Sequence, residues 1–276
     1  MATYLGTHGS RIQNYTTDPD NPNTGEVWYN ATANTLKFQY PAVTSAGSWR
    51  TGVDVNTARR DFGGNGTYTS ALMYAGATST YVTLTESWNG SAWTEVNDLS
   101  QARSNLSGAG ADNTAAIAVG GFYHPPSQHF ALTELWNGTN WTEVNDLNTA
   151  RYALGATGTS TAAIASAGNV PPNSSTAVNE SWNGTNWTSV NSMNTARESM
   201  IAANTGTQTA ALIVGGQGPS PGTISALVES WNGTNWTEVN DLNTAREYAA
   251  NAGTQTAALA FGGTPPVRAV TELWNG

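Results

Sequence analysis

The string W-T-E-V-N-D-L-N-T-A-R occupies residues Trp141–Arg151 and recurs unchanged at Trp236–Arg246. Closely related strings occupy Trp93–Arg103 and Trp187–Arg197, and a more diverged copy, W-R-T-G-V-D-V-N-T-A-R, occupies Trp49–Arg59. In all five copies the arginine follows the tryptophan by ten residues. A string that recurs at a regular spacing indicates a repeat architecture in which each copy belongs to one supersecondary unit.

A second string, E-S/L-W-N-G, alternates with the first and also occurs five times. Its copies begin at Glu86, Glu134, Glu180, Glu229 and Glu272, at spacings of 48, 46, 49 and 43 residues. Asn-Gly after an alternating apolar run is typical of a tight hairpin turn. Between the two strings lies a segment of small apolar residues, such as T-A-A-I-A-V-G-G at Thr114–Gly121. Each unit therefore contains signals for several short antiparallel strands.

Four strands, named A to D, are predicted for each unit. In the second unit they are about Ser104–Ala111, Ala115–Gly120, Ala131–Trp136 and Asn140–Val144. Four-stranded antiparallel sheets repeated around an axis form a β-propeller, and the spacing of the copies suits propeller blades. The sequence predicts an all-β fold with a five-bladed β-propeller over residues 46–276, preceded by an N-terminal arm over residues 1–45.

The two ends of the repeat region lack complementary halves. The last E-L-W-N-G has no W-T-E-V string after it, and the first W string has no E-x-W-N-G before it. We therefore expect the strand Ser48–Val53 to pair beside Val270–Trp274 and close the ring. The same strand could instead come from a neighbouring chain in an exchanged assembly.

The pattern W-T-x-V-x-x-L/M-x-x-A-R, followed by Gly-Gly after an apolar strand and then by E-x-aromatic, resembles the kelch motif. The Gly-Gly is present at Gly120–Gly121, Gly215–Gly216 and Gly262–Gly263, and it becomes Ala-Gly at Ala75–Gly76 and Ala167–Gly168. The tyrosine usual in the third kelch strand is tryptophan here. The resemblance covers about residues 46–276 and implies a kelch-like propeller.

Residues that recur in every unit are interpreted as scaffold. The tryptophans of strands C and D would fill the space between blades, although exposed tryptophans could also stack on sugars. Each repeated arginine would tie one blade to the next through a repeated glutamate or a backbone carbonyl, although five such pairs could also form a ligand ring.

Recognition is expected where the repeats differ. In antiparallel blades the B–C and D–A loops share one face, and the B–C loops vary most, as in G-F-Y-H-P-P-S-Q-H-F at Gly121–Phe130. Loops on a rigid scaffold are where recognition tends to occur. The predicted contact residues are Tyr123, His124, His129, Phe130 and Arg268. Loop variation without any ligand is the alternative.

Composition excludes several classes of function. A net charge of −9 with a single lysine argues against a nucleic-acid-binding face. The chain has no cysteine, no apolar run long enough to span a bilayer and no secretion signal. His124 and His129 alone are too few for a metal site. We expect no cofactor, no metal and no enzymatic activity, because no catalytic set stands apart from the repeats.

The N-terminal arm contains G-E-V-W-Y-N-A-T-A-N-T-L-K-F-Q-Y at Gly25–Tyr40. This stretch predicts a hairpin with strands Glu26–Asn30 and Thr35–Tyr40. A two-stranded hairpin is at best marginally stable alone, so its apolar side chains need a surface to pack on. The predicted docking residues are Val27, Trp28, Tyr29, Leu36 and Phe38.

The arm is similar to segments of bacteriophage tail-fibre and other virion proteins, and the N-T-A-R and G-T-Q-T-A repeats look like those of phage from aquatic bacteria. These resemblances imply a virion structural protein on tail or capsid, assembled in the bacterial cytoplasm and present in several copies. It would attach to other virion proteins through the arm and present a propeller face to a host glycan or protein. A soluble five-bladed lectin and an intracellular kelch-type adaptor are the alternatives.

Overall fold

The computed structural model describes residues 13–17, 27–38, 51–200, 204–219, 222–267 and 269–276. Every regular element in these ranges is a β-strand. The chain divides into two compact units, Met1–Gly52 and Val53–Gly276.

The first unit contains a three-stranded sheet. Its strands are β1 (Gln13–Tyr15), β2 (Val27–Asn30) and β3 (Thr35–Phe38). β2 and β3 are antiparallel, with Val27 opposite Phe38 and Asn30 opposite Thr35, which confirms the predicted hairpin within the described residues. β1 pairs with β2 in parallel. The hairpin pattern did not indicate the strand β1.

The second unit contains five antiparallel sheets in succession along the chain. The first consists of β4 (Gly63–Thr67), β5 (Ser70–Tyr74), β6 (Thr85–Trp88) and β7 (Trp93–Val96). The second consists of β8 (Ser107–Ala109), β9 (Ala116–Val119), β12 (Thr133–Trp136) and β13 (Trp141–Glu143), with the two-stranded ribbon β10 (Phe122–Tyr123) and β11 (Gln128–His129) in its B–C loop.

The third and fourth sheets repeat this plan. The third consists of β14 (Gly155–Thr159), β15 (Ala162–Ser166), β18 (Asn179–Trp182) and β19 (Trp187–Val190), with the ribbon β16 (Asn169–Val170) and β17 (Ser174–Ser175) in its B–C loop. The fourth consists of β20 (Asn204–Thr207), β21 (Ala210–Val214), β22 (Val228–Trp231) and β23 (Trp236–Val239). The fifth consists of β24 (Ala250–Thr254), β25 (Ala257–Phe261) and β26 (Thr271–Trp274).

The innermost strands of the five sheets surround a common central channel. Residues of β4, β8, β14, β20 and β24 line one cavity of about 430 Å³. Five sheets arranged around one channel confirm the predicted all-β, five-bladed propeller. The strands predicted for the second unit are confirmed in order and position, and each observed strand is shorter by a few residues.

The predicted closing strand, Ser48–Val53, falls only partly within the described residues. Among the described residues the fifth sheet has three strands, and Thr51, Gly52 and Val53 lie outside any strand. Residues 48–50 lie outside the described ranges. With the Trp-to-Arg spacing kept, Gly52 occupies the position of a valine in the other copies, at Val96, Val144, Val190 and Val239, and glycine is a poor strand former. Among the described residues β26 pairs with β25 alone, and Leu273 on β26 is 82% exposed.

Small residues let the inner strands lie close together. Gly158 adopts a φ of +121°, and a Cβ at this position would lie 2.2 Å from the carbonyl oxygen of Ala162 on the neighbouring strand. Equivalent glycines precede the A–B turn at Gly66, Gly206 and Gly253. This explains the Gly-rich composition of strand A, because a side chain at that position would separate the two strands.

The repeated tryptophans form the core between blades, as predicted. In each of the first four blades the C-strand and D-strand indoles lie 5.3 to 5.5 Å apart. The indole of Trp187 on β19 donates to Thr133 Oγ1 of the preceding blade at 3.0 Å, so the D-strand tryptophan bridges two blades. All nine repeated tryptophans within the described ranges are buried or half-buried.

Candidate functional site

The repeated arginines and glutamates form buried ion pairs between consecutive blades. Arg103, between the first and second sheets, binds Glu134 on β12 at 2.7 Å. The equivalent pairs are Arg59–Glu86 at 3.1 Å, Arg151–Glu180 at 3.3 Å, Arg197–Glu229 at 2.8 Å and Arg246–Glu272. All five arginine side chains are 0% exposed. This confirms their predicted role in tying blades together and removes them as a ligand ring.

The surroundings of these arginines lower their pKa values. Burial is the main cause, and the partner glutamate opposes it in each pair where a shift is resolved. The pKa of Arg151 falls to about 10, so the guanidinium remains charged at neutral pH. The charges of the scaffold are therefore internal and compensated, and recognition must involve other groups.

Aromatic rings from three blades meet on the face formed by the B–C and D–A loops. Tyr81, in the B–C loop of the first blade, lies 5.0 Å from the ring of Tyr123 on β10. Phe122 on β10 lies 4.8 Å from Tyr152, which is in the connection into the third blade. His129 on β11 lies 5.0 Å from the same Tyr152 ring. These contacts confirm that B–C and D–A loops share a face.

A polar chain continues from these rings towards the fourth blade. Asn169 on β16 lies 3.2 Å from His129, between its Oδ1 and the histidine Nε2, and donates from Nδ2 to Glu198 Oε2. Because the Asn169 oxygen is an acceptor, His129 Nε2 is the donor in this pair. The imidazole therefore carries its proton on the nitrogen that faces Asn169.

Two carboxylates and two tyrosines influence one another at the end of this chain. Burial raises the pKa of Tyr152, and the charge of Glu198 and the neighbouring Tyr248 raise it further. Burial also raises the pKa of Glu247, with the Glu198 charge as the second cause. We call the set running across this face the aromatic–acidic strip; its residues are Tyr81, Phe122, Tyr123, His129, Tyr152, Asn169, Glu198, Glu247 and Tyr248.

A rigid backbone rim lies beneath the strip. One residue in each D–A connection has a positive φ between 51° and 59°; these are Asp61, Asn105, Ala153, Ser199 and Tyr248. Their backbones link successive blades, since Asn105 N donates to Asp61 O and Ala153 N donates to Asn105 O, both at 2.8 Å. The D–A connections that carry part of the strip are therefore joined to one another by backbone hydrogen bonds.

The predicted contact residues have different positions. Tyr123 and His129 belong to the strip. His124 is exposed in the turn of the β10–β11 ribbon, where its Nδ1 lies 3.2 Å from Ser127 Oγ. Phe130 is only 6% exposed, and its backbone is hydrogen-bonded to Gly121 and Arg151. Arg268 lies outside the described residues.

Most of the strip was missed by sequence reasoning. Tyr152, Glu198 and Glu247 share one signal, because each directly follows a repeated arginine in a position that varies between copies. The equivalent residues are Arg60 and Ser104 in the first two copies. The residue that directly follows each repeated string differs between copies, and this difference could have indicated this part of the site.

Two hydroxyl side chains that line the central channel form hydrogen bonds between its strands. Ser107 Oγ accepts from the backbone of Ala156 at 3.0 Å, and Thr157 Oγ1 donates to the carbonyl of Gly206 at 2.9 Å. Each bond joins the innermost strands of two adjacent blades. These hydroxyls therefore link blades.

The predicted docking residues occupy the two strands of the arm hairpin. Val27 and Tyr29 on β2 are half-buried and Trp28 is buried. Leu36 on β3 is 61% exposed, and Phe38 is the last residue of that strand. Leu36 is thus an apolar side chain of the arm that faces solvent.

Within the described ranges, no three His, Asp or Glu side chains are grouped as potential metal ligands. The same ranges contain no helix of the length and apolarity needed to cross a bilayer. Comparison of the chain with protein-family models and with curated proteins finds no match.

Proposed function

We propose that this chain is a non-enzymatic recognition module of a bacteriophage particle, in which the arm attaches the protein and the propeller presents the aromatic–acidic strip. The observation that carries the proposal is the division between repeated and variable residues. The arginine and the glutamate that recur in all five units are buried together in ion pairs, whereas several side chains that differ between units gather on one accessible face. Such a division is typical of a scaffold that displays a binding surface.

The assignment to a virion is supported by the arm. Its G-E-V-W-Y-N-A-T-A-N-T-L-K-F stretch resembles segments of tail-fibre and other virion proteins, and it folds as a small sheet in a unit of its own. The exposed Leu36 offers apolar surface to another virion protein. In this proposal the arm unit attaches the protein and the propeller loops meet a host glycan or protein.

The lectin and adaptor alternatives have weaker support. A lectin with five equivalent sugar sites needs accessible aromatic residues in each blade, but the repeated tryptophans of the described ranges are buried or half-buried. The aromatic–acidic strip occurs once and is asymmetric. The adaptor alternative is based on the kelch-like repeat, and the virion-like arm favours the phage assignment over it.

Mass spectrometry of purified particles of the source virus tests the assignment. We expect peptides of this chain at several copies per particle, and their absence from infectious particles would refute it. Binding of the purified protein to host cells tests the role of the strip. Tyr123→Ala with His129→Ala should reduce binding, whereas Tyr68→Ala, a matched loss of an aromatic that is 79% exposed at an A–B turn on the other face, should not.

A further inference from the structure

We propose that the aromatic–acidic strip binds a cationic polypeptide segment, with arginine side chains lying over its rings and pairing with Glu198 and Glu247. The inference deepens the proposed function by naming the chemistry of the partner on that face. It does not require that the chain be part of a virion, so the two can fail separately.

The aromatic half of the strip suits a guanidinium group. Tyr81, Tyr123 and Tyr152 are half-buried, so each ring keeps part of its surface open to solvent. The face of an aromatic ring attracts a cation, and arginine adds stacking of its planar group. Tyrosine also supplies a large contact area at low cost in conformational entropy.

The acidic half has no ion-paired cation within the part of the chain that the structure describes. Among the described residues neither Glu198 nor Glu247 forms an ion pair; Glu198 accepts a hydrogen bond from the neutral Asn169. Arg60, in the equivalent position of the first blade, is bound to Asp61 at 2.7 Å. Proximity of the two glutamates contributes to the raised pKa of Glu247, and an arriving cation would relieve that repulsion.

Other carboxylates on the face formed by the B–C and D–A loops add to the negative charge of the strip. Asp98, Asp146 and Asp241 occupy equivalent places after the D strands, where each accepts a hydrogen bond from a backbone N–H and remains exposed. The whole chain carries a net charge of −9. A cationic partner would be steered towards this face, and its association would weaken as salt increases.

The distribution of these groups favours a polypeptide over a small cation. The strip draws residues from the loops of all five blades, from Tyr81 in the first to Glu247 in the fifth, with carboxylates and rings at separate places. An extended chain can place several side chains along it, and an arginine fork can bind a carboxylate through two parallel hydrogen bonds.

Fluorescence anisotropy with the full chain tests the proposal. The probe is a labelled peptide of alternating arginine and glycine, and its control has citrulline, the uncharged isostere, at every arginine. We expect the arginine peptide to bind at least about tenfold more tightly and to weaken with added salt. Equal binding of the two peptides, or binding of neither, would overturn the proposal.

Variants separate the strip from general charge attraction. Glu198→Gln with Glu247→Gln should weaken binding of the arginine peptide about tenfold. The matched control is Glu143→Gln with Glu238→Gln, which removes the same charge from exposed positions on the outer strands β13 and β23, and it should bind as the unmodified protein does. Equal losses in both variants would show attraction to net charge alone and refute the site.

Further variants control for disturbed folding, and a second probe tests the chemical class of the ligand. If Glu198→Gln disturbs the fold by removing the partner of Asn169, Glu247→Gln alone must still weaken binding. Tyr152→Phe keeps the ring and should retain binding, while Tyr152→Ala should reduce it. Binding of a neutral oligosaccharide such as maltoheptaose in place of the arginine peptide would contradict the proposal and favour a glycan partner.

Discussion

Replacing Arg197 by methionine tests whether the buried ion pairs hold the blades together. The Arg197 side chain is fully buried; it donates to the carbonyls of Gly215 at 2.8 Å and Leu227 at 2.7 Å, and it binds Glu229 at 2.8 Å. The methionine fills a similar apolar volume, so the change chiefly removes the charge and its hydrogen bonds.

The expected loss of stability is about 3–5 kcal/mol, the range for removing one partner of a buried pair. Two backbone carbonyls lose their donor at the same time, which places the value towards the upper end. Glu229 keeps hydrogen bonds from Asn194 and Thr195, but these do not neutralise its charge. The buried, unpaired carboxylate is therefore the main cost.

Urea unfolding followed by tryptophan fluorescence measures the effect, because the indoles of Trp231 and Trp236 lie in the neighbouring core. Arg60→Met is the matched control, since its ion pair with Asp61 is exposed, with 74% of the arginine side chain accessible. Exposed pairs contribute about 0–1 kcal/mol. Equal shifts of the unfolding midpoint in the two variants would refute the structural role.

A double variant provides an independent check. Arg197→Met with Glu229→Gln should lose less than the sum of the two single changes, by about 1–3 kcal/mol. A strictly additive result would mean that the two side chains do not interact.

Three further predictions concern the tryptophan core, the carboxylate Glu247 of the candidate site and the strand β26. Trp182→Ala should destabilise the protein by about 3–5 kcal/mol, since the indole is fully buried, while Tyr68→Ala should change unfolding by less than about 0.5 kcal/mol. Glu247 has a raised pKa, so the native state holds this proton more tightly than the unfolded chain and the carboxyl costs stability as pH rises through its folded pKa. Glu247→Gln should therefore gain stability relative to the unmodified protein between pH 4 and pH 7 in urea titrations, and an unchanged difference across this range would contradict the raised pKa. Leu273, on β26, is 82% exposed. Leu273→Lys should change the free energy of unfolding by less than about 0.5 kcal/mol and reduce any self-association in sedimentation experiments, because a charge on an exposed strand opposes pairing with another chain; unchanged self-association would show that this side chain is not part of the contact.

The repeated strings made the scaffold predictable from sequence. The five copies of W-T-E-V and of E-S/L-W-N-G set the number of blades, because each pair forms the C–D hairpin of one sheet or its counterpart. The pairing of Arg103 with Glu134 followed the same logic, since a residue that recurs in every copy has the same neighbours in every copy. Predictions of this kind depend only on periodicity.

The described end of the predicted closing strand and the first strand of the arm could not be obtained in this way. A strand was predicted over Ser48–Val53, and its described residues Thr51, Gly52 and Val53 lie outside any strand. β1 contains only three residues, Gln13–Tyr15, and pairs in parallel with β2. Such pairing depends on a distant partner and leaves little local signal.

The sequence by itself determined that the chain forms five sheets around an axis, because hairpin turns and alternating strands are encoded locally and repeated. Only the tertiary structure decided which variable residues form one surface. Tyr81 and Tyr152 are far apart in the chain, and both contact the β10–β11 ribbon because the ring of blades brings their loops to the same face. Which side chains of two different loops come into contact depends on the angle between their blades. The packing of buried tryptophans and ion pairs sets that angle.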